Sequence, residues 1–470
     1  MLGIIERTVT DKRKFCYYEL STIIVQAITM YLYGERSRNS FQCSQSGNPY
    51  LSENISRLFG TQGLAHCDTM NRVLSNLDFK ELDDLKASLV KKLIEKKVIK
   101  PIWGYFIFAV DGSEITKYQE ELEDCLLHKT SKKTKTTTYQ NSMLEAKIIT
   151  EDGLTISVAS EPISNTDKVD YDKQDCELAA AKRMLPRLKV NFPRLKICII
   201  GDALYLNGPF FDLCAQFDWK FLVRYKKGCM PAFHTEIIDT AEQDKLKFEK
   251  SIPFESRSNK EKTLHKKAYY TGISSLVCQG HSVTYVEAEI PQKKKLPLQA
   301  KQNKKSGGKP HIEISSQEKN KESPSEDKFA VEKSPQEDLF IYTQFAYLSN
   351  LPLSEGEMTQ KDIFMLITIG RMRWNIENQG FNTQKNHDYY LKQKKVTASV
   401  SPLWIYYQIL QIAHMINQLF EHSQVYCKIQ KAFRLTRTAI KEKMRKLLTS
   451  VYLDMDRLRE NNKRCQIRME

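Results

Sequence analysis

Three acidic residues, Asp111, Asp202 and Glu377, carry the chemistry this chain can be read for. Asp111 follows the apolar run Tyr105-Phe106-Ile107-Phe108-Ala109-Val110, and Asp202 follows Lys196-Ile197-Cys198-Ile199-Ile200-Gly201. Short, nearly continuous apolar runs are the pattern of strands buried on both faces, so both aspartates are expected at the carboxyl ends of strands. Glu377 falls in a segment of helical period that runs through Ile363, Leu366, Ile367 and Gly370. Carboxylates are the oxygen ligands that a hard cation such as Mg²⁺ requires. Two such ions about 3.5 to 4 Å apart activate an attacking hydroxyl, stabilise a leaving oxygen and clamp the phosphate between them. The acids are 91 and 175 residues apart, so only the fold brings them together. Taken singly, Asp111-Gly112 reads as a turn and Asp202 as a helix cap.

The elements that must position these residues follow from hydrophobic period. Residues 1–100 alternate helix-like segments with loops: an apolar helix over Leu20–Leu32, a short capped helix over Asp68–Leu74 and a Lys-rich amphipathic helix over Leu82–Ile99. After the first buried strand, segments Met143–Thr150 and Thr155–Ile163 flank the turn signal Glu151-Asp152-Gly153 and predict a hairpin. Residues Asp175–Leu188 read as a helix, Asn207–Phe217 as a crossover helix and Lys220–Tyr225 as a further strand, so an α/β sheet is the natural layer solution. Asp175, Cys176 and Glu177 read as a helix start, where acids favour the dipole, and no chemistry is assigned to them.

Beyond Tyr225 come short strand-like pieces, Lys267–Ile273, Ser282–Ile290 and Phe340–Ser349, which predict an inserted β-rich region. Within it, residues 291–338 are rich in Lys, Ser, Pro, Gln and Glu and are expected to be disordered, because such a composition buries too little apolar area to offset ordering entropy. Helices return from Thr359, then over Pro402–Phe420 and about Lys428–Leu448, where Lys428, Lys431, Arg434, Arg437 and Lys441 form a basic stripe.

Composition narrows the class. The chain has 470 residues, 41% of them hydrophobic, enough for a large core and two to four domains. With 72 Lys+Arg against 57 Asp+Glu the net charge is +15, which favours a polyanionic partner. The 11 Cys form no Cys-x-x-Cys pair and no zinc-finger spacing, and read as reduced thiols. The N-terminus carries no secretory pattern, and the longest uncharged apolar stretch, Leu20–Gly34, is shorter than the roughly 20 residues of a membrane helix, so a cytoplasmic location is expected.

The surroundings of the three acids add a resemblance. Phe-Ala-Val-Asp111-Gly-Ser-Glu, Ile-Gly-Asp202-Ala-Leu-Tyr-Leu-Asn-Gly and Gly-Arg-Met-Arg373-Trp-Asn-Ile-Glu377-Asn-Gln-Gly-Phe-Asn resemble the three acidic motifs of bacterial insertion-sequence DDE transposases. Ser37-Arg38-Asn39, His66-Cys-Asp68-Thr69-Met-Asn71, Lys173-Gln174-Asp175-Cys176-Glu177 and Gln411-Ile-Ala-His414-Met-Ile-Asn417-Gln418-Leu are similar to further segments of that group.

The resemblance implies a ribonuclease H-like mixed-sheet core with a helical N-terminal domain, an inserted β-rich subdomain and C-terminal helices. Its implied division is 1–100 for the DNA-binding helical region, 101–225 and 359–421 for the two parts of the core, 226–358 for the insertion and 422–470 for the basic helices. It also implies that Asp111, Asp202 and Glu377 bind two Mg²⁺ or Mn²⁺ ions, with cleavage of double-stranded DNA at the ends of an element and joining of the freed 3′-hydroxyl to target DNA by a DNA-bound homodimer. Members often place a Tyr, an Arg and a Lys around the last acid as Tyr-x2-Arg-x3-Glu-x6-Lys. Arg373 fits this pattern; Gly370 stands in place of the Tyr, and Gln384 occupies the Lys position with Lys385 one step later. Arg373 and Lys385 are the candidate phosphate-binding residues. A catalytically decayed DNA-binding derivative and a nuclease without strand transfer are the competing functions. Tyr389 and Tyr390 raise tyrosine-recombinase chemistry as a further alternative.

Overall fold

The computed structural model describes residues 1–123, 126–165, 174–255, 263–293, 340–354, 356–393 and 399–461. Six helices come first: α1 (Leu2–Thr8), α2 (Leu20–Leu32), α3 (Arg38–Gln45), α4 (Pro49–Phe59), α5 (Cys67–Leu74) and α6 (Phe79–Glu95). Helix α2 has the bounds its apolar run predicts, and Leu20 to Tyr31 are all buried, as a helix apolar on every side requires. Helix α5 begins one residue earlier than expected because the His66 imidazole caps the Asp68 N–H.

The sheet is built from β1 (Phe106–Tyr118), β2 (Leu127–Thr130), β3 (Thr137–Ile149), β4 (Thr155–Ile163), β5 (Ile197–Gly201), β6 (Lys220–Arg224), β7 (Lys245–Glu255), β8 (Thr263–Cys278), β9 (His281–Lys293) and β10 (Phe340–Ser349). Its order is β2-β3-β1-β5-β6-β10-β9-β8-β7, with β4 beside β3. Strand β3 runs antiparallel to both of its neighbours, β4 and β1, and β1, β5 and β6 are parallel, which is the mixed sheet expected of a ribonuclease H-like core. Strands β7 to β10 continue the same sheet, since β10 pairs with β6 at Tyr347 and Arg224. Pro291, Gln292 and Lys293, expected in the disordered stretch, instead complete β9 against Phe340, Ile341 and Tyr342; residues 294–338 lie outside the described residues.

Helices α7 (Glu177–Asn191), α8 (Gly208–Gln216) and α9 (Pro231–Asp239) follow within the core, then α10 (Gln360–Met372), α11 (Thr383–Asn386), α12 (Ser401–Glu421), α13 (Gln424–Phe433), α14 (Arg437–Ser450) and α15 (Met455–Asn461). Alternation along the strands sorts the core into two layers. Phe108, Val110, Ile197 and Ile199 pack with α6, α7 and α8. Ile107, Ala109, Cys198 and Ile200 pack under α10. Covering both faces explains why these strands read as unbroken apolar runs. Among the described residues no helix is long and apolar enough to cross a membrane.

Candidate active site

The parallel pairing of β1 with β5 ends at Ala109 and Ile200; two residues beyond lie Asp111, still on β1, and Asp202, just past the end of β5. Odd-numbered residues of β1 and even-numbered residues of β5 face α10, so both aspartates project to that side. Strand β1 does not stop at Asp111 as its sequence suggests. Strand β3 keeps Gly112, Ser113 and Glu114 in an antiparallel ladder as far as Tyr118, so Asp111 marks the place where β5 leaves β1. Asp202 does follow the end of β5, where its carboxylate accepts the Leu204 N–H at 2.8 Å and starts a short 3₁₀ turn.

Helix α10 opens on a capping box between Thr359 and Asp362 and crosses the same face of the sheet. Its continuation, Ile376–Asn382, is a π-helical turn that contains Glu377. Such turns are rare, and they recur at functional sites. Arg373 turns toward β1 and donates from Nη1 to Oδ2 of Asp111 at 3.3 Å. The Arg373 guanidinium also lies 5.4 Å from the ring of the exposed Trp374.

The π turn accounts for the displaced lysine. A turn closed from i to i+5 takes one residue more than an α turn, so the eighth residue after Glu377 comes round to where the seventh would stand in an unbroken α-helix. Lys385 accordingly reaches β1, donating from Nζ to Ser113 Oγ at 2.7 Å. Gln384 points the other way, into the core, where it exchanges amide hydrogen bonds with Gln411 and contacts His414 Nδ1 at 3.0 Å. The buried Lys147 ammonium donates to the same Gln411 Oε1 at 2.7 Å. Gly370 has its own structural reason: a Cβ there would stand 2.6 Å from Cε1 and Cζ of Tyr347, whose ring from β10 fills that space.

The electrostatics are those of crowded acids. Burial raises the Asp111 carboxyl to about 6; Arg373 opposes the rise, while the negative charges of Asp202 and Glu377 add to it. Among the described residues no three Asp, Glu, His or Cys side chains converge tightly enough to enclose a cation. Asp111 is engaged by Arg373 and Asp202 by the turn it caps.

A fourth acid joins this cluster. Glu177, the first residue of α7, accepts the Tyr205 hydroxyl at Oε1 across 2.9 Å, and its carboxylate packs against Gly112. Burial raises its carboxyl to about 7, opposed by the Tyr205 hydrogen bond and reinforced by Asp111 and Asp202. In the sequence it looks like any acid at a helix start. The available signal was the pair of glycines flanking the aspartates. A Cβ on Gly112 would stand 2.6 Å from Glu177 Oε2, and one on Gly201 would stand 2.8 Å from Tyr205 Cδ2.

The basic C-terminal stripe is not continuous. Arg434 takes a left-handed conformation that separates α13 from α14. Arg437 then pairs with Glu421 at 2.6 Å and Lys441 with Asp388 at 3.4 Å, both half-buried. Tyr389 is fully buried and its hydroxyl accepts from Asn417, which removes it as a nucleophile toward DNA.

No protein-family model matches the chain, and no curated protein matches it. Among solved structures it is similar to the piggyBac transposase of a synaptic complex with hairpin DNA, with a TM-score of 0.39 and 10% identity over 95% of this chain and 74% of that one. Likeness at this level carries no residue-by-residue correspondence.

Proposed function

We propose that this protein is a DDE-type transposase that cuts DNA at the ends of a mobile element and joins the freed 3′-hydroxyl to target DNA. The observation that supports the reading is that Asp202, Glu377 and Arg373, from distant parts of the chain, lie near enough to Asp111 where β5 leaves β1 for their charges to act on its carboxyl. Among the described residues the acids are not drawn together around a cation. The donor set suits Mg²⁺ or Mn²⁺, because every acid offers hard oxygen and their mutual repulsion is relieved by a cation between them. Ions bound there would supply Lewis-acid stabilisation of the attacking and leaving oxygens. Asp111, Asp202 and Glu377 are their proposed ligands, which requires Arg373 to leave Asp111.

Once free, the Arg373 guanidinium has the planar, charged geometry to hold a DNA phosphate in two hydrogen bonds. Lys385 offers a second cationic contact from the same side of β1. The +15 net charge favours association with double-stranded DNA. Two ends joined in one event call for a homodimer on DNA.

The test is a supercoiled plasmid carrying the coding sequence with its natural flanking DNA, incubated with protein and Mg²⁺ or Mn²⁺. Excision and joined products that vanish with Asp111→Asn support the reading; identical behaviour of wild type and variant ends it. Arg373 seated on Asp111 and Gly370 in place of tyrosine favour a second reading, a DNA-binding derivative without catalysis. End-specific binding without cleavage would select it, and cleavage without joined products would select a nuclease.

A further inference from the structure

We infer that Glu177 and Tyr205 form a positioning pair that fixes the spacing of Asp111 and Asp202 from the opposite face of the sheet. The inference rests on the reading of those aspartates as cation ligands. Alternation sets the geometry: Asp111 and Asp202 face α10, so their neighbours Gly112 and Gly201 face α7. Both glycines are positions where a side chain would collide with the pair, Gly112 with Glu177 and Gly201 with Tyr205.

Glu177 therefore reaches both aspartate-bearing segments through residues adjacent to the aspartates. It packs against Gly112, one residue after Asp111, with Oε2 2.6 Å from where a Cβ there would stand, and it accepts the hydroxyl of Tyr205, three residues after Asp202. The Tyr205 backbone N–H closes back on the Asp202 carbonyl at 3.2 Å, so movement of the ring is movement of the Asp202 turn. The ring itself is fully buried and packs on Phe210 with centroids 5.2 Å apart.

The start of α7 is held rigidly enough to serve as a reference point. Asp175 is buried, accepts the Ser164 N–H at 3.0 Å and pairs with Arg183 at 2.7 Å. Arg183 also binds Glu161 of β4 at 2.6 Å. Glu177 thus joins a helix terminus clamped to β4 with the ends of β1 and β5.

Groups that orient metal ligands without touching the metal typically cost about 10–100-fold in metal affinity when removed. The test is calorimetric titration of Mn²⁺ into the full chain, for wild type, Tyr205→Phe, Glu177→Gln and the double variant, with Asp111→Asn as control. The expected result is uptake by wild type, its loss in the control, and binding about tenfold weaker in each single variant. The double variant should be no weaker than the worse single, because the two residues act as one unit. Tyr205→Phe deletes one oxygen and keeps the buried ring, so it reports even where Glu177→Gln folds poorly. A merely structural hydrogen bond would lower the unfolding midpoint and leave the Mn²⁺ affinity of the folded protein unchanged; that outcome, or additive losses, overturns the inference while the cation reading stands. Absence of Mn²⁺ binding by wild type, or equal binding by Asp111→Asn, overturns both.

Discussion

Arg373 and Asp111 meet at 3.3 Å although 262 residues separate them, and this contact ties the helix that leads to Glu377 onto β1, the strand that joins the antiparallel and parallel parts of the sheet. The guanidinium competes with any cation for the same carboxylate. Replacing Arg373 with Ala should therefore leave Mn²⁺ affinity unchanged or increase it, while DNA binding weakens and the slope of log K against log salt falls by about one. Titrations at several salt concentrations check this. An unchanged slope would show that Arg373 does not reach phosphate.

Asp111→Asn, Asp202→Asn and Glu377→Gln should each lower metal-dependent DNA cleavage by about 10²- to 10³-fold, since Lewis-acid stabilisation is worth several kcal/mol and about 1.4 kcal/mol is a factor of ten. Circular dichroism and cooperative unfolding should be retained. A variant that cleaves at the wild-type rate would remove its residue from the site.

Stability should depend on pH through Asp111 and Glu177. Their ordinary values, 3.8 and 4.5, rise in the folded protein to about 6 and about 7. The folded state therefore binds protons more tightly, and the stability these groups contribute is fully present below about pH 4 and lost as pH rises through their folded values. The loss for Asp111 is on the order of 3 kcal/mol. Asp111→Asn should thus unfold at a higher temperature than wild type at pH 8 and at the same temperature at pH 4. Added Mn²⁺ at pH 8 should stabilise wild type alone. Equal midpoints at pH 8 would show that the acid is not held under strain.

The Gln384–Gln411 pair and Lys147 support the segment that follows Glu377. Gln411→Leu leaves the Lys147 ammonium and the Gln384 amide without their shared acceptor and should cost about 1–3 kcal/mol in urea unfolding. Cleavage should fall more than the lost stability explains, because the π turn loses its anchor. A stable variant with full activity would contradict that coupling.

Hydrophobic pattern was enough to place the elements whose burial is simple. The bounds of α2 follow from an unbroken apolar stretch, and those of β10 from a strand-like run between two polar flanks. The run of β1 past Asp111 was not legible, because Gly112-Ser113-Glu114 has the composition of a turn and stays extended only through pairing with β3. The break at Arg434 depends on one left-handed residue within a helical pattern. The placement of Lys385 beside β1 showed in the sequence only as a misfit of one position, and hydrogen-bond spacing reveals the π turn that precedes it. Glu177 was hidden because its partners, Gly112 and Tyr205, lie on other elements.

The claim that Asp111, Asp202 and Glu377 hold divalent cations is tested most directly by anomalous scattering from crystals soaked in Mn²⁺. The account predicts anomalous peaks bounded by these three carboxylates, with Arg373 turned away from Asp111. Saturated crystals with no peak there, or with Mn²⁺ bound at another site while Arg373 still holds Asp111, would contradict it.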